Sequence, residues 1–443
     1  MSYCKITHLF LTLIFQLWLG ALVSQATTYY VATNGLGNGT SWELATNNIQ
    51  GAISLATTAD DVVSVSNGVY QTGGVTNWPA GSALTNRVAI TNAITVKSAN
   101  NDPINTIIKG AWDPNTTNGP AAVRGVYIVS GSSLIGFTIT NCATLRTNES
   151  MVKASLVGGG VYSLGTASNC VITDNRSFGD SQNGGGGAYG GSYFNCTLIG
   201  NSTRTRGGGA DAVILSNCTI ACNYSQDYAG GTFNATLYNC LVISNVAAVN
   251  AGGTYQGSLY NCTVAYNVGN GVMYPGLVRN CLIYGNTARG VSLLRGLDSK
   301  AECCTIVANG WYGIDNTQNK PSTNIVLNCI IYSNSPGDWC QEATTYLAFT
   351  NSCTYPSNSA GWSAGNTTNN PVLVDFGTGT GTNHVAGNYR LSPNSPCVNS
   401  GLYQTWMTGA VDLDGNRRLD QLNGCVDMGA YEFIHTITLI SGH

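Results

Sequence analysis

The chain has 443 residues, of which 43% are hydrophobic and only 9% charged, so it is neither a disordered chain nor a polyelectrolyte. A formal net charge of -3 gives no surface for a polyanion, which argues against nucleic acid as a partner. With 55 Gly against 11 Pro, the composition points to short strands joined by tight corners.

The chain opens with Lys5 and His8 ahead of an apolar run over 9–19, followed by the small residues Ser24 and Ala26. That run is too short for a comfortable membrane span and reads as a signal peptide over 1–26. The mature chain is then expected outside the cell, secreted or at the cell surface, with no transmembrane segment. Residues 27–88 read as a cap with the first strands. Within it Ile49, Ala52, Ile53 and Ala56 fall at helical spacing, followed by a strand at 61–65. A solenoid needs such a lid, because an end coil otherwise exposes its core and strand edges.

Short strands and turns start near residue 89. The regular array that follows is built on a heptapeptide, N-C-x-h-x-x-N with h aliphatic, which first appears cleanly at 169–175. Its Cys column runs 170, 196, 218, 240, 262, 281, 304 and 329, in steps of 26, 22, 22, 22, 19, 23 and 25 residues. A period near 22 residues means stacked coils. Only Cys303 breaks the leading Asn column. Each coil also carries a glycine corner ahead of the heptad, as in Gly209-Ala210-Asp211 and Gly253-Thr254-Tyr255.

Strand alternation assigns faces. Cys and the residue two later share a face. That second column, Ile172, Leu198, Ile220, Val242, Val264, Ile283, Ile306 and Ile331, is wholly aliphatic and therefore core. The position between them points outward. The closing column, Asn175, Asn201, Asn223, Asn245, Asn267, Asn286, Asn309 and Asn334, sits at a bend. Its simplest role is a structural ladder in which each amide bonds the next coil. The stacked Cys, with Cys142, are expected as free buried thiols, since parallel Cβ vectors suit a disulfide poorly. Cys340 with Cys353, and Cys397 with Cys425, lie outside that column and are the better disulfide candidates.

The period, the inward columns and the asparagine ladder resemble the right-handed parallel β-helix of the pectate-lyase-like superfamily, over roughly residues 29–355. The expected fold is all-β: a right-handed single-stranded parallel β-helix solenoid of about 22 residues per coil with a short N-terminal helix cap, the solenoid proper covering 89–355. Residues 356–433 carry Tyr389 to Pro396, Val411 to Arg418 and Val426 to Glu432 in order, and resemble the choice-of-anchor Q module of bacterial surface proteins. Residues 434–443 form a tail.

The resemblance spans lyases, hydrolases, adhesins and passenger domains, so it does not name an activity. Charge is scarce in the array, and its densest patch follows the asparagine corner in three successive coils: Asp174, Arg176 and Asp180, then Arg204 and Arg206, then Asp227. These six are the candidate ligand-binding patch, for an acidic or polyhydroxylated sugar. The bland reading is mutually compensating charge on solvated turns. A second candidate is the column two residues past the glycines, Tyr162, Tyr189, Phe233, Tyr255 and Met273. Alternation alone does not settle its face, and an inward orientation is favoured for Phe233. Asp412-Leu413-Asp414-Gly415-Asn416 matches only part of a calcium loop, since Ala410 stands where the first ligand belongs. Scarce His argues against a His-based metal site or triad, and the expectation is no cofactor, calcium being the one candidate. The function expected first is glycan binding or adhesion by a monomer, the partner an extracellular polysaccharide or cell-surface glycan. A polysaccharide lyase or glycoside hydrolase acting on acidic polysaccharide is the alternative.

Overall fold

The computed structural model describes residues 25–148, 150, 152–293, 299–316, 323–341, 346–357, 362–420 and 424–434. Most of the expected signal segment, 1–24, and the expected tail beyond 434 lie outside the described residues.

The chain winds into a right-handed parallel β-helix. One parallel sheet of 12 short strands stacks the heptads in register, for example Ile172 on Leu198 and Leu198 on Ile220. A second, 25-stranded system supplies the other faces of each coil. Every registered pairing in both is parallel, as expected when each strand pairs with its equivalent one coil away. At the N-terminal end the helix Ile49–Leu55 is started by Asn48, whose side chain accepts from the Gln50 and Gly51 amides at 2.9 and 3.2 Å. It buries Ile49, Ala52 and Ile53 against the first coils.

Three inward columns fill the interior. Val161, Ala188 and Ala210 come from one strand, Ala167, Tyr193 and Leu215 from the next, and Ile172, Leu198 and Ile220 from the heptad. The Cys column is buried beside them. Each thiol donates to the carbonyl two residues earlier, as Cys240 does to Tyr238 O at 3.2 Å and Cys281 to Arg279 O at 3.1 Å. The leading Asn of each heptad is in the left-handed region, with φ near 54° at Asn217, Asn261 and Asn280, where Asn is tolerated better than most residues.

The closing Asn column forms a continuous buried ladder. Asn223 Oδ1 accepts from the Asn201 backbone N–H and from Asn201 Nδ2 at 2.9 and 3.0 Å. Asn223 Nδ2 donates to Leu198 O and to Asn245 Oδ1, both at 2.9 Å. The same set recurs from Asn175 to Asn334. Asp338 ends it, accepting from the Asn334 N–H at 3.2 Å. The glycine corner is explained by this ladder: a Cβ on Gly209 would lie 3.0 Å from Asn223 Nδ2 and 2.7 Å from Gly231 O, so only glycine lets the amides pack there.

Residues 372–420 and 424–434 fold back along the outside of the last coils. Leu373, Leu391, Met428 and Ala430 cover Leu282, Val307 and Ile330. The leading Asn column serves as the docking edge: Asn328 Nδ2 donates to Leu402 O at 2.8 Å, and Asn280 Nδ2 donates to Val411 O at 2.8 Å. Within the segment Arg418, fully buried, donates to Gly429 O and Asp427 O and pairs with Glu432 at 3.1 Å.

Two expectations are corrected. Cys353 and Cys397 pack in one apolar cluster on the outside of the last coil, and no disulfide links either of them to Cys340 or Cys425. Cys353 stands one residue past the Cys column, which in that coil is occupied by Ser352, and this turns its side chain outward to the C-terminal segment. The Phe233 column lies outside the coil, not in its core. Its strand neighbours Ala210 and Thr232 point inward, and Phe233 is buried only because Arg206 and Tyr228 cover its ring.

Candidate functional site

The loops that follow the asparagine ladder in three successive coils are set side by side by in-register strands. Arg176 pairs with Ser202 and Ser202 with Tyr224. The first loop turns at Gly179, φ 74°, where a Cβ would lie 2.1 Å from Thr205 Oγ1. It is held by Asp180, whose Oδ1 accepts the Gln182 and Asn183 backbone N–H groups at 2.7 and 2.6 Å.

These loops enclose an open cleft of about 440 Å³, lined by Phe178, Asp180, Arg204, Gln226, Asp227 and Val249 among others. The exposed Arg204 guanidinium lies 5.0 Å over the Phe178 ring. No carboxylate among the described residues lies within ion-pair distance of it. Asp227 is partly buried, which raises its carboxyl above the usual range against the pull of Arg206. Asp180 spends its carboxylate on its own loop and so shapes the cleft more than it charges it.

The six sequence candidates therefore separate. Asp180, Arg204 and Asp227 meet in one cleft. Arg206 turns away, its guanidinium 4.8 Å over Tyr228 and 4.7 Å over Phe233, and donates to Gln182 O at 2.8 Å. Arg176 stacks 4.6 Å over Trp112. Asp174 occupies a left-handed corner, φ 55°, and accepts from Thr173 Oγ1 at 3.1 Å.

A second feature lies alongside. The outward column Tyr127, Tyr162, Tyr189, Asp211, Phe233 and Tyr255 runs in register along the sheet. Tyr162 and Tyr189 rings are 5.3 Å apart, and Phe233 and Tyr255 are stacked at 5.3 Å with 11° between planes. Asp211 stands where the next ring would be, 2% exposed. Its Oδ2 accepts the Gly184 N–H at 2.8 Å. Burial pushes its carboxyl up to about 7, although the Gly184 bond, Arg206 and Lys153 pull the other way. Lys153 sits 4.9 Å over the Tyr189 ring. Phe178 and Lys153 carry no repeat signature and were not singled out by sequence. Asp211 was legible as a carboxylate at the repeat position that Tyr162, Tyr189, Phe233 and Tyr255 hold in neighbouring coils.

The partial calcium loop uses its oxygens internally. Asp412 accepts from the Asp414, Asn416 and Glu432 backbone N–H groups, and Asp414 pairs with Arg390 at 2.5 Å. No three His, Cys, Asp or Glu side chains among the described residues are grouped as metal ligands. No helix among them is long and apolar enough to cross a membrane.

A family model described as a right handed beta helix region matches residues 274–370. Among solved structures, the chain is similar to a pectate lyase, with a TM-score of 0.48 and 13% identity over 92% of this chain and 97% of that one. It is also similar to a rhamnogalacturonan lyase, TM-score 0.42 and 13% identity over 74% and 87% of the two chains. A third is the mannuronan C-5 epimerase A-module from Azotobacter vinelandii, TM-score 0.35 and 12% identity over 73% and 86%. No curated protein sequence matches the chain. At these identities the likeness is one of fold.

Proposed function

We propose that this is an exported β-helix protein, secreted or held at a cell surface, that binds an acidic polysaccharide across three coils in the cleft between Phe178, Arg204 and Asp227. Arg204 carries the reading. A guanidinium resting on an aromatic ring, exposed and without a carboxylate partner, presents its donors to a uronate carboxylate, while the ring face and the Gln226 amide suit the hydroxyl-rich ring. The C-terminal segment, with its choice-of-anchor Q resemblance, then acts as the module that caps the array on the side of attachment. Titration calorimetry with a uronate polymer tests the reading. Arg204→Ala should weaken binding about tenfold, the scale of one charge-assisted hydrogen bond. Unchanged affinity for the variant sinks it.

Catalysis on the same polymer is the second reading, and Asp211 is the observation that favours it. Burial raises its carboxyl to about 7 against the pull of the Gly184 N–H, Arg206 and Lys153, the range suited to a general acid or base. Growth of reducing ends or of unsaturated uronate absorbance on incubation, abolished in Asp211→Asn, would support it; no product with any uronate polymer removes it.

A further inference from the structure

The parity of the array sorts the thiols. Those of the Cys column point into the coil, each donating to the carbonyl two residues earlier, whereas the Cys353 thiol points outward and donates to Asn369 O at 3.2 Å. In the coil after Cys329 the column is taken by Ser352, whose Oγ donates to Thr350 O at 3.0 Å and accepts from the Cys329 N–H at 3.1 Å. The cysteine is displaced by one residue. Cys353 therefore occupies the outward row of Leu282, Thr305 and Ile330, the row the C-terminal segment covers.

Facing it in that segment is Cys397, fully buried, in thiol contact with Cys353. Both are fixed by backbone bonds: Cys353 N to Cys329 O at 2.8 Å, and Met428 N to Cys397 O at 3.0 Å. They belong to one apolar cluster with Leu373, Leu391 and Met428. Of the other outward thiols of the heptads, Cys303 packs in a separate cluster with Met407 and Val426, and Cys222 is exposed.

We propose that Cys353 and Cys397 form a disulfide in the exported protein, stapling the C-terminal segment to the last coil. The oxidant is a dithiol-disulfide carrier or a small disulfide. The Cys353 thiolate attacks one of its sulfurs, breaking that S–S bond and releasing one thiolate. The Cys397 thiolate then attacks the Cys353 sulfur and releases the second. Two protons leave the cysteines, and two electrons pass to the oxidant. Both thiols are buried in the folded chain, so the exchange takes place before the segment has closed over the coil. The staple restrains a segment otherwise held by side-chain packing and a few asparagine bonds, and does not depend on the glycan reading.

The test uses the full chain, refolded from reduced denatured protein with oxidised glutathione, then denatured, alkylated and mapped by mass spectrometry. The expected result is a Cys353–Cys397 linked peptide two hydrogens lighter than its parts, with Cys170, Cys196, Cys218, Cys240, Cys262, Cys281, Cys304 and Cys329 alkylated. Proteolysis within 362–434 should then be about tenfold slower in oxidised than in reduced protein. That difference should vanish in Cys397→Ala. Full alkylation of Cys353 and Cys397, or their linkage to Cys340 or Cys425 instead, overturns the proposal.

Discussion

The asparagine ladder gives the sharpest quantitative prediction. Replacing Asn223 by Ala removes four buried hydrogen bonds, two accepted from Asn201 and two donated to Leu198 O and Asn245 Oδ1. Two losses are of the severe kind: the Asn201 backbone N–H and the Leu198 carbonyl lose side-chain partners in a dry corner where no solvent replaces them. Asn201 Nδ2 keeps Ile172 O, and Asn245 Oδ1 keeps the Asn223 N–H, so the other two losses are milder. At the low end, about 1 kcal/mol per stranded group and about 1 for each ordinary bond, the cost is at least about 4 kcal/mol. A solenoid opens at its weakest interface before it unfolds globally, so a single midpoint would misreport the effect. Native-state hydrogen exchange across residues 195–245 is the suitable assay. Protection there should fall roughly a thousandfold, while the coils near Val65 and Val326 change little. A fall of less than about tenfold would refute the view that the ladder, more than the apolar columns, ties one coil to the next.

Other outcomes follow from the buried charges. Asp338 is 6% exposed, and burial raises its carboxyl from 3.8 to about 6. The folded state therefore holds that proton more tightly than the unfolded one. This contribution is fully present below about pH 4 and lost as pH rises through about 6, on the order of 2–3 kcal/mol in all. Asp338→Asn continues the ladder without the charge, so thermal stability at neutral pH should rise, by about 1 kcal/mol, and its pH dependence between about 4 and 6 should flatten. A variant less stable than the parent at neutral pH contradicts this. Arg418→Met leaves Glu432 buried without its cation, so the C-terminal segment should lose about 3–5 kcal/mol and become protease-sensitive while the coils stay folded. Leu282→Ala opens a cavity under the same segment and should cost about 2–4 kcal/mol, read by the same proteolysis.

What the sequence disclosed is what repeats. The 22-residue period, the aliphatic column through Ile220 and the Asn column through Asn223 follow from strand alternation and need no long-range information. The docking of the C-terminal segment left no such trace: the outward heptad position is Thr at covered Thr305 as at Thr197 and Thr219, and aliphatic at exposed Leu241 as at covered Leu282 and Ile330. The face of the Phe233 column was misjudged because its burial comes from outside the coil, through Arg206 and Tyr228, and spacing along one strand does not report it. The cysteine pairing was misjudged for a related reason. Their place outside the repeated column suggested Cys340 with Cys353, whereas the fold-back brings Cys397 to Cys353 across a long connection. In the charged patch, the coil register placed Asp180, Arg204 and Asp227 together, but the rotamers that sent Arg176 to Trp112 and Arg206 to Tyr228 depend on loop packing.

The central claim is that an acidic glycan lies across three loops at once. Hydrogen exchange of the full chain with and without a saturating uronate oligomer measures this directly. The account predicts added protection in 178–181, 204–206 and 226–228 together, lost in Arg204→Ala. Protection confined to the column of Tyr162, Tyr189, Phe233 and Tyr255, or none with any oligomer, would contradict it.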